Sequence, residues 1–161
     1  MFKNSKNLLI KLILLISIVA LISAFFIEYI LGHQPCNLCL IERIPYGLSL
    51  ILIFLNFISK KKEKFLIILL ILLFIFSFLI SIYHFGIEQG FFQESSVCGL
   101  RSATEIISKE ELLKQLNETA ISCKDVTFRI FGLSLTSINI VISLLFIITL
   151  LKIFNKYEKN K

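Results

Sequence analysis

The chain has 161 residues, of which 57 % are apolar and 17 % charged, and its mean hydropathy of +0.87 excludes a water-soluble globule. The length allows one membrane domain, 1–161, whose apolar residues come in blocks rather than amphipathic stripes. A net charge of +6 would suit nucleic acid in a soluble protein, but the basic residues gather at the chain ends and at Lys60 to Lys64, so the charge is topological and no nucleic-acid partner is expected.

Four runs are long enough to cross roughly 30 Å of hydrocarbon at about 1.5 Å per residue: Leu8 to Ile27, Leu40 to Ile58, Phe65 to Tyr83 and Ile130 to Leu151. They predict an all-α integral membrane four-helix bundle. The first run reads as a retained anchor rather than a cleaved signal, because it is too long and ends in Ala24-Phe25-Phe26-Ile27 without a small-residue cleavage site. In the second run Glu42, Arg43 and Pro45 place the beginning at the interface. The four spans otherwise read as nearly free of buried ionisable groups.

Between the spans, the basic residues are unevenly divided. Eleven lie in the N-terminal segment, the middle loop and the tail, against six, beside nine acidic residues, in 28–39 and 84–129 together with the start of the second span. The bias and the even number of spans predict both termini in the cytoplasm. Within 84–129, Ser108-Lys109-Glu110-Glu111 has a capping-box pattern followed by Leu112, Leu113, Leu116 and Ala120, which predicts a short amphipathic helix.

All four cysteines, Cys36, Cys39, Cys98 and Cys123, fall in or beside the two segments assigned outside the cytosol, where disulfides persist. Cys36-Asn37-Leu38-Cys39 is a C-x-x-C entering the second span, and a thiol at a helix N-terminus has its pKa lowered by the dipole. Arg43 is one turn beyond Cys39, where a cation favours the thiolate and can polarise an acceptor oxygen. A tetrahedral zinc site is not expected, because Cys98 and Cys123 are 25 apart and form no second knuckle. Covalent haem is excluded, since Leu40 and not His follows Cys39. A C-x-x-C ring restrains little chain entropy and is more often redox-active than structural, whereas Cys98 and Cys123 suit either a structural disulfide or one that partner thiols can reach. Thiol-disulfide exchange between two such pairs would carry two electrons inward. With no dinucleotide, haem or iron-sulfur motif present, a membrane quinone is the natural acceptor.

These residues resemble the DsbB-type quinone-dependent disulfide oxidases of bacterial inner membranes. The resemblance runs through Pro35-Cys36-Asn37-Leu38-Cys39 with Glu42-Arg43, Tyr83-His84-Phe85-Gly86-Ile87-Glu88, Cys98, Cys123, and Phe131-Gly132-Leu133-Ser134-Leu135. It implies that a periplasmic thioredoxin-like partner of DsbA type attacks Cys98, that the freed Cys123 attacks Cys36, and that Cys39 leaves and donates to ubiquinone or menaquinone beside Arg43. His84 matches a position near the quinone, where an imidazole can relay protons. Glu42 is expected in a structural ion pair. Ile138 stands where many relatives have an aromatic, and Glu94-Ser95-Ser96 where many have Gly-Pro.

Two other readings fit the layout. One is an enzyme similar to the vitamin K epoxide reductases, whose C-x-x-C lies on a later helix; the other is a non-enzymatic scaffold stapled by two disulfides.

Overall fold

Inside a bilayer the backbone has only itself to hydrogen-bond, so each long apolar run closes as a helix. The structure, a computed structural model, describes residues 2–58, 63–94, 98, 122–124, 128–130 and 132–159. It contains α1 (Phe2–Tyr29), α2 (Asn37–Ile58), α3 (Glu63–Glu88) and α4 (Leu135–Lys159), all long and apolar enough to cross a membrane. The expected all-α four-helix membrane bundle is present. The expected amphipathic helix around 108–120 lies outside the described residues.

Neighbours in sequence are neighbours in space: α2 packs on α1 and on α3, α3 packs most extensively on α4, and α4 touches α1 to close the ring. The centre is filled by Ile10 and Ile13 of α1, Tyr46 and Ile53 of α2, Ile67, Leu70 and Phe74 of α3, and Phe146 and Leu150 of α4. Phe74 meets Tyr46 and Phe146 edge to face, with ring centroids 6.0 and 4.8 Å away. Leu8, Leu15, Phe54, Leu72, Leu79 and Leu145 point outward and stay exposed, as lipid-facing side chains do. Between helices the contacts are small and polar: Ser49 Oγ is 3.3 Å from Ser17 Oγ, and Ser77 Oγ is 3.1 Å from Ser143 Oγ. At the end opposite the cysteines, Lys6 pairs with Glu63, tying the start of α1 to the start of α3.

The helix ends differ from the apolar runs, for local reasons. α2 begins three residues before Leu40, because Cys36 caps it. α3 continues five residues past Tyr83 and stops in a Schellman turn, in which the Phe91 and Gly90 amides reach the Gly86 and Ile87 carbonyls at 2.8 and 3.0 Å, with Gly90 at φ 77°. α4 begins five residues after Ile130, because Arg129–Ile130 and Leu133–Ser134 pair as a short antiparallel ladder, Arg129 opposite Ser134. Ser134 Oγ then accepts the Ser137 amide at 3.2 Å and caps the helix.

Candidate active site

Cys36 is the N-cap of α2. Its carbonyl accepts the Leu40 amide at 3.2 Å, and its Sγ accepts the Cys39 amide at 3.3 Å, the place an oxygen occupies in an ordinary cap. Pro35, immediately before, restricts the chain entering this turn. The cap brings the two free thiols together, Cys36 Sγ to Cys39 Sγ 2.8 Å, with Cys36 buried and Cys39 half-buried.

On the other side of Cys36 stands His84, whose Nε2 is 3.5 Å from Cys36 Sγ. The tautomer follows from the other ring nitrogen. Nδ1 lies 2.9 Å from Glu42 Oε1 and 3.2 Å from Thr136 Oγ1, and the Thr136 hydroxyl donates its own hydrogen to Glu88 Oε1 at 2.6 Å. Nδ1 therefore carries a hydrogen and donates, which leaves Nε2 to share a proton with Cys36.

The Cys36 thiol is held far below its ordinary value, at about 4. The hydrogen bond from the Cys39 thiol is the largest cause, with the His84 hydrogen bond and charge behind it, together outweighing the burial that pushes the other way. The sequence-based expectation of a lowered thiol at the helix start is met in direction at Cys36, but through Cys39 and His84 rather than through Arg43.

From Glu42 a polar column runs into the bundle. Glu42 Oε2 accepts from Asn139 Nδ2 at 3.0 Å, the same amide nitrogen donates to Ser81 Oγ at 2.7 Å, and Asn139 Oδ1 accepts the Tyr46 hydroxyl. Both oxygens of Glu42 are thus satisfied, as a buried carboxylate requires. Glu88, four residues beyond His84, has Oε1 3.9 Å from His84 Nε2, while its Oε2 is buried without a hydrogen-bond partner among the described residues. The expectation of spans nearly free of buried ionisable groups is corrected at Glu42, inside the second run and only 10 % exposed, while His84 and Glu88, 2 % and 5 % exposed, lie past the third run's expected end on the continuation of α3. They were hidden because each lies within a turn or two of a helix end. Glu42 is paired with His84, an ion pair whenever the imidazole is protonated.

Arg43 points away from this column. Its guanidinium pairs with Glu28 of α1 and lies 5.4 Å over the Phe25 ring, at the seam between α1 and α2. The cation expected beside the Cys39 sulfur is instead engaged by α1. Sequence reasoning missed Glu28, Thr136 and Asn139 altogether, and quoted Glu88 without giving it a role.

The loop cysteines form a disulfide, Cys98–Cys123, with Cα atoms 5.4 Å apart. Glu94 accepts from Ser122 and from the Lys124 amide, the residues on either side of Cys123. Cys98 and Cys123 are buried in one cluster with Cys36, Leu38 and Ile87, against which Cys39, Ile41, Ile80 and Tyr83 pack. The two sulfur pairs thus share one buried cluster at one end of the bundle. The Tyr83–Glu88 motif now has a physical account: Tyr83 stacks on Phe92 at 5.8 Å, Gly86 leaves room for that ring, Ile87 packs on the sulfur cluster, and His84 and Glu88 flank Thr136.

Among curated proteins, the chain is similar to uncharacterized protein RP370 of Rickettsia prowazekii (strain Madrid E), at 29 % identity over 99 % of this chain and 94 % of the relative. No solved structure matches it significantly. The sequence profile of disulfide bond formation protein DsbB matches residues 6–153, which takes in most of α1 and α4, all of α2 and α3, and all four cysteines. The chain is a multi-pass membrane protein that belongs to the DsbB family.

Proposed function

We propose that this protein is a quinone-dependent thiol oxidase of a bacterial inner membrane, with both termini cytoplasmic, that returns a periplasmic DsbA-type dithiol protein to its disulfide form. The observation that carries the reading is the shared burial of the Cys98–Cys123 disulfide and the Cys36/Cys39 thiols in one cluster. Two couples buried in one cluster need only a local rearrangement to exchange disulfides, without a bound carrier.

The exchange balances as follows. A partner thiolate bonds to Cys98 Sγ and breaks the Cys98–Cys123 bond; Cys123 attacks Cys36 of a Cys36–Cys39 disulfide and releases Cys39. The second partner thiolate frees Cys98 as the partner disulfide closes, and Cys98 then takes Cys123 back, releasing Cys36. One partner dithiol has become a disulfide, and the Cys36/Cys39 pair has become a dithiol.

The residues at the membrane face of that pair fit a flat, lipid-soluble quinone. Cys39 is half-buried, Leu40 and Ile44 beside it are open on the outer surface, and Arg43 offers a guanidinium at the α1–α2 seam. Cys39 and Arg43 would hold the ring. A quinone there supplies a two-electron, two-proton acceptor. Cys36, 2.8 Å from Cys39, is the nucleophile that closes the C-x-x-C disulfide as the electron pair leaves. His84, with Nε2 toward Cys36 and Nδ1 held by Glu42, takes up or returns the proton at Cys36.

The test supplies the purified protein with a reduced thioredoxin-like dithiol and a soluble quinone analogue. One quinol should form per partner disulfide, Cys98→Ala should lose partner oxidation, and a Cys39→Ser protein turning over at the wild-type rate would overturn the reading.

A further inference from the structure

Two thiol sulfurs and one imidazole nitrogen, those of Cys36, Cys39 and His84, lie within 4.8 Å of one another at the buried end of the bundle. We propose that the reduced pair is also a binding site for a thiophilic divalent cation such as zinc, held by Cys36 Sγ, Cys39 Sγ and His84 Nε2.

The geometry carries this. With Zn–S near 2.3 Å and Zn–N near 2.0 Å, a tetrahedral ion sets its sulfur and nitrogen ligands about 3.6 Å apart; Cys36 Sγ and His84 Nε2 are 3.5 Å apart. The two sulfurs, at 2.8 Å, must open to about 3.8 Å, which a side-chain rotation at half-buried Cys39 provides. The imidazole is already set as a ligand. Its Nδ1 hydrogen goes to Glu42 Oε1, the carboxylate–histidine support that fixes the tautomer and aims the Nε2 lone pair at a metal. Glu88 adds an observation from another side chain: its Oε1, which accepts the Thr136 hydrogen, is 3.9 Å from that Nε2, and its Oε2 is buried with no hydrogen-bond partner among the described residues, which suits a carboxylate that accepts from a water on the ion rather than binding the ion itself. A sequence reading that seeks a second C-x-x-C does not find this site, because the third ligand comes from another helix, 45 residues after Cys39.

Binding displaces to solvent the Cys39 proton and the proton shared between Cys36 Sγ and His84 Nε2, and changes no oxidation state. Two thiolates neutralise the ion in a buried place, and a disulfide offers no such ligands, so oxidation of the pair expels it. On the function proposed above, and only on it, a bound ion occupies the sulfur lone pairs that exchange requires and arrests the enzyme in its dithiol form.

The experiment uses the full chain in detergent with Cys98→Ser and Cys123→Ser, so that Cys36 and Cys39 are the one remaining couple, reduced and titrated with cobalt(II). The expected result is one ion per chain, with a thiolate-to-cobalt charge-transfer band and the intense visible bands of tetrahedral cobalt, displaced by zinc. Oxidising the pair should release the ion, and His84→Asn should weaken binding at least tenfold. Absence of the thiolate band, or an ion retained after oxidation, or undiminished affinity in His84→Asn, overturns the proposal. None of these readouts needs quinone or partner. Loss of the metal site and loss of the oxidase reading are therefore separable results.

Discussion

The imidazole of His84 and the carboxylate of Glu42 meet at 2.9 Å, joining α3 to α2 at the level of the C-x-x-C. The pair turns one face of the ring to a carboxylate and the other to a sulfur. Its consequences can be measured.

The first concerns pH. With the Cys36 thiol pushed down to about 4, the group is thiolate throughout the neutral range and protonates only as pH falls through that value. In reduced protein carrying Cys98→Ser and Cys123→Ser, alkylation of Cys36 should stay level from pH 8 to about pH 5, whereas an ordinary thiol near pKa 8.5 slows about tenfold per unit below it. Cys39→Ala removes the largest cause of the shift, and the midpoint should rise; an unmoved midpoint contradicts this assignment.

Asn139 is the hinge of the polar column. Asn139→Ala removes the donor on Glu42 Oε2 and leaves that oxygen unsatisfied in the bundle, a cost of about 1–3 kcal/mol. Thermal unfolding in detergent should show it as a lower midpoint, and adding Glu42→Gln should recover part of the loss, since a neutral amide is cheaper to leave buried than a carboxylate.

Gly86 lies under the Phe92 ring, where an added Cβ would collide. Gly86→Ala should destabilise the protein by about 1–3 kcal/mol, through overpacking of the α3 end. Combined with Phe92→Ala the penalty should largely vanish. A strictly additive double variant would show that the glycine serves some other need.

For Arg43 the expectation is kinetic. Arg43→His should raise the apparent KM for a quinone analogue about tenfold, a loss of about 1.4 kcal/mol, while the oxidation of Cys36 and Cys39 by a small soluble disulfide stays unchanged. Glu28→Gln, which removes the guanidinium's partner on α1, should shift KM in the same direction by less.

Much of the architecture was legible because lipid imposes a simple rule: a span must be a continuous apolar run, and α1 to α4 are such runs. Their ends were less legible, since Ser134 capping α4 and the Gly90 turn closing α3 are local hydrogen-bond events that hydropathy does not register. Of the site, the cysteines and the capped thiol could be read from spacing. The polar column could not be assembled, because Glu42, His84 and Asn139 come from three helices. A partial signal was present: Ser77, Ser81, His84 and Glu88 recur at i, i+4, i+7 and i+11, and Thr136, Asn139 and Ser143 at i, i+3 and i+7. A polar stripe of that period on an apolar helix faces its neighbours rather than the lipid. The reach of Arg43 to Glu28 depends on how α1 and α2 lie together, which no local pattern states.

The relay between the two sulfur pairs is tested most directly by its own connecting bond. In a chain carrying Cys39→Ala and Cys98→Ala, mild oxidation in membranes should join Cys36 to Cys123, and peptide mass spectrometry should recover that linkage within a single chain. Should Cys36 and Cys123 remain unlinked while both react freely with a small maleimide, the electrons have no path between the pairs and the account is wrong.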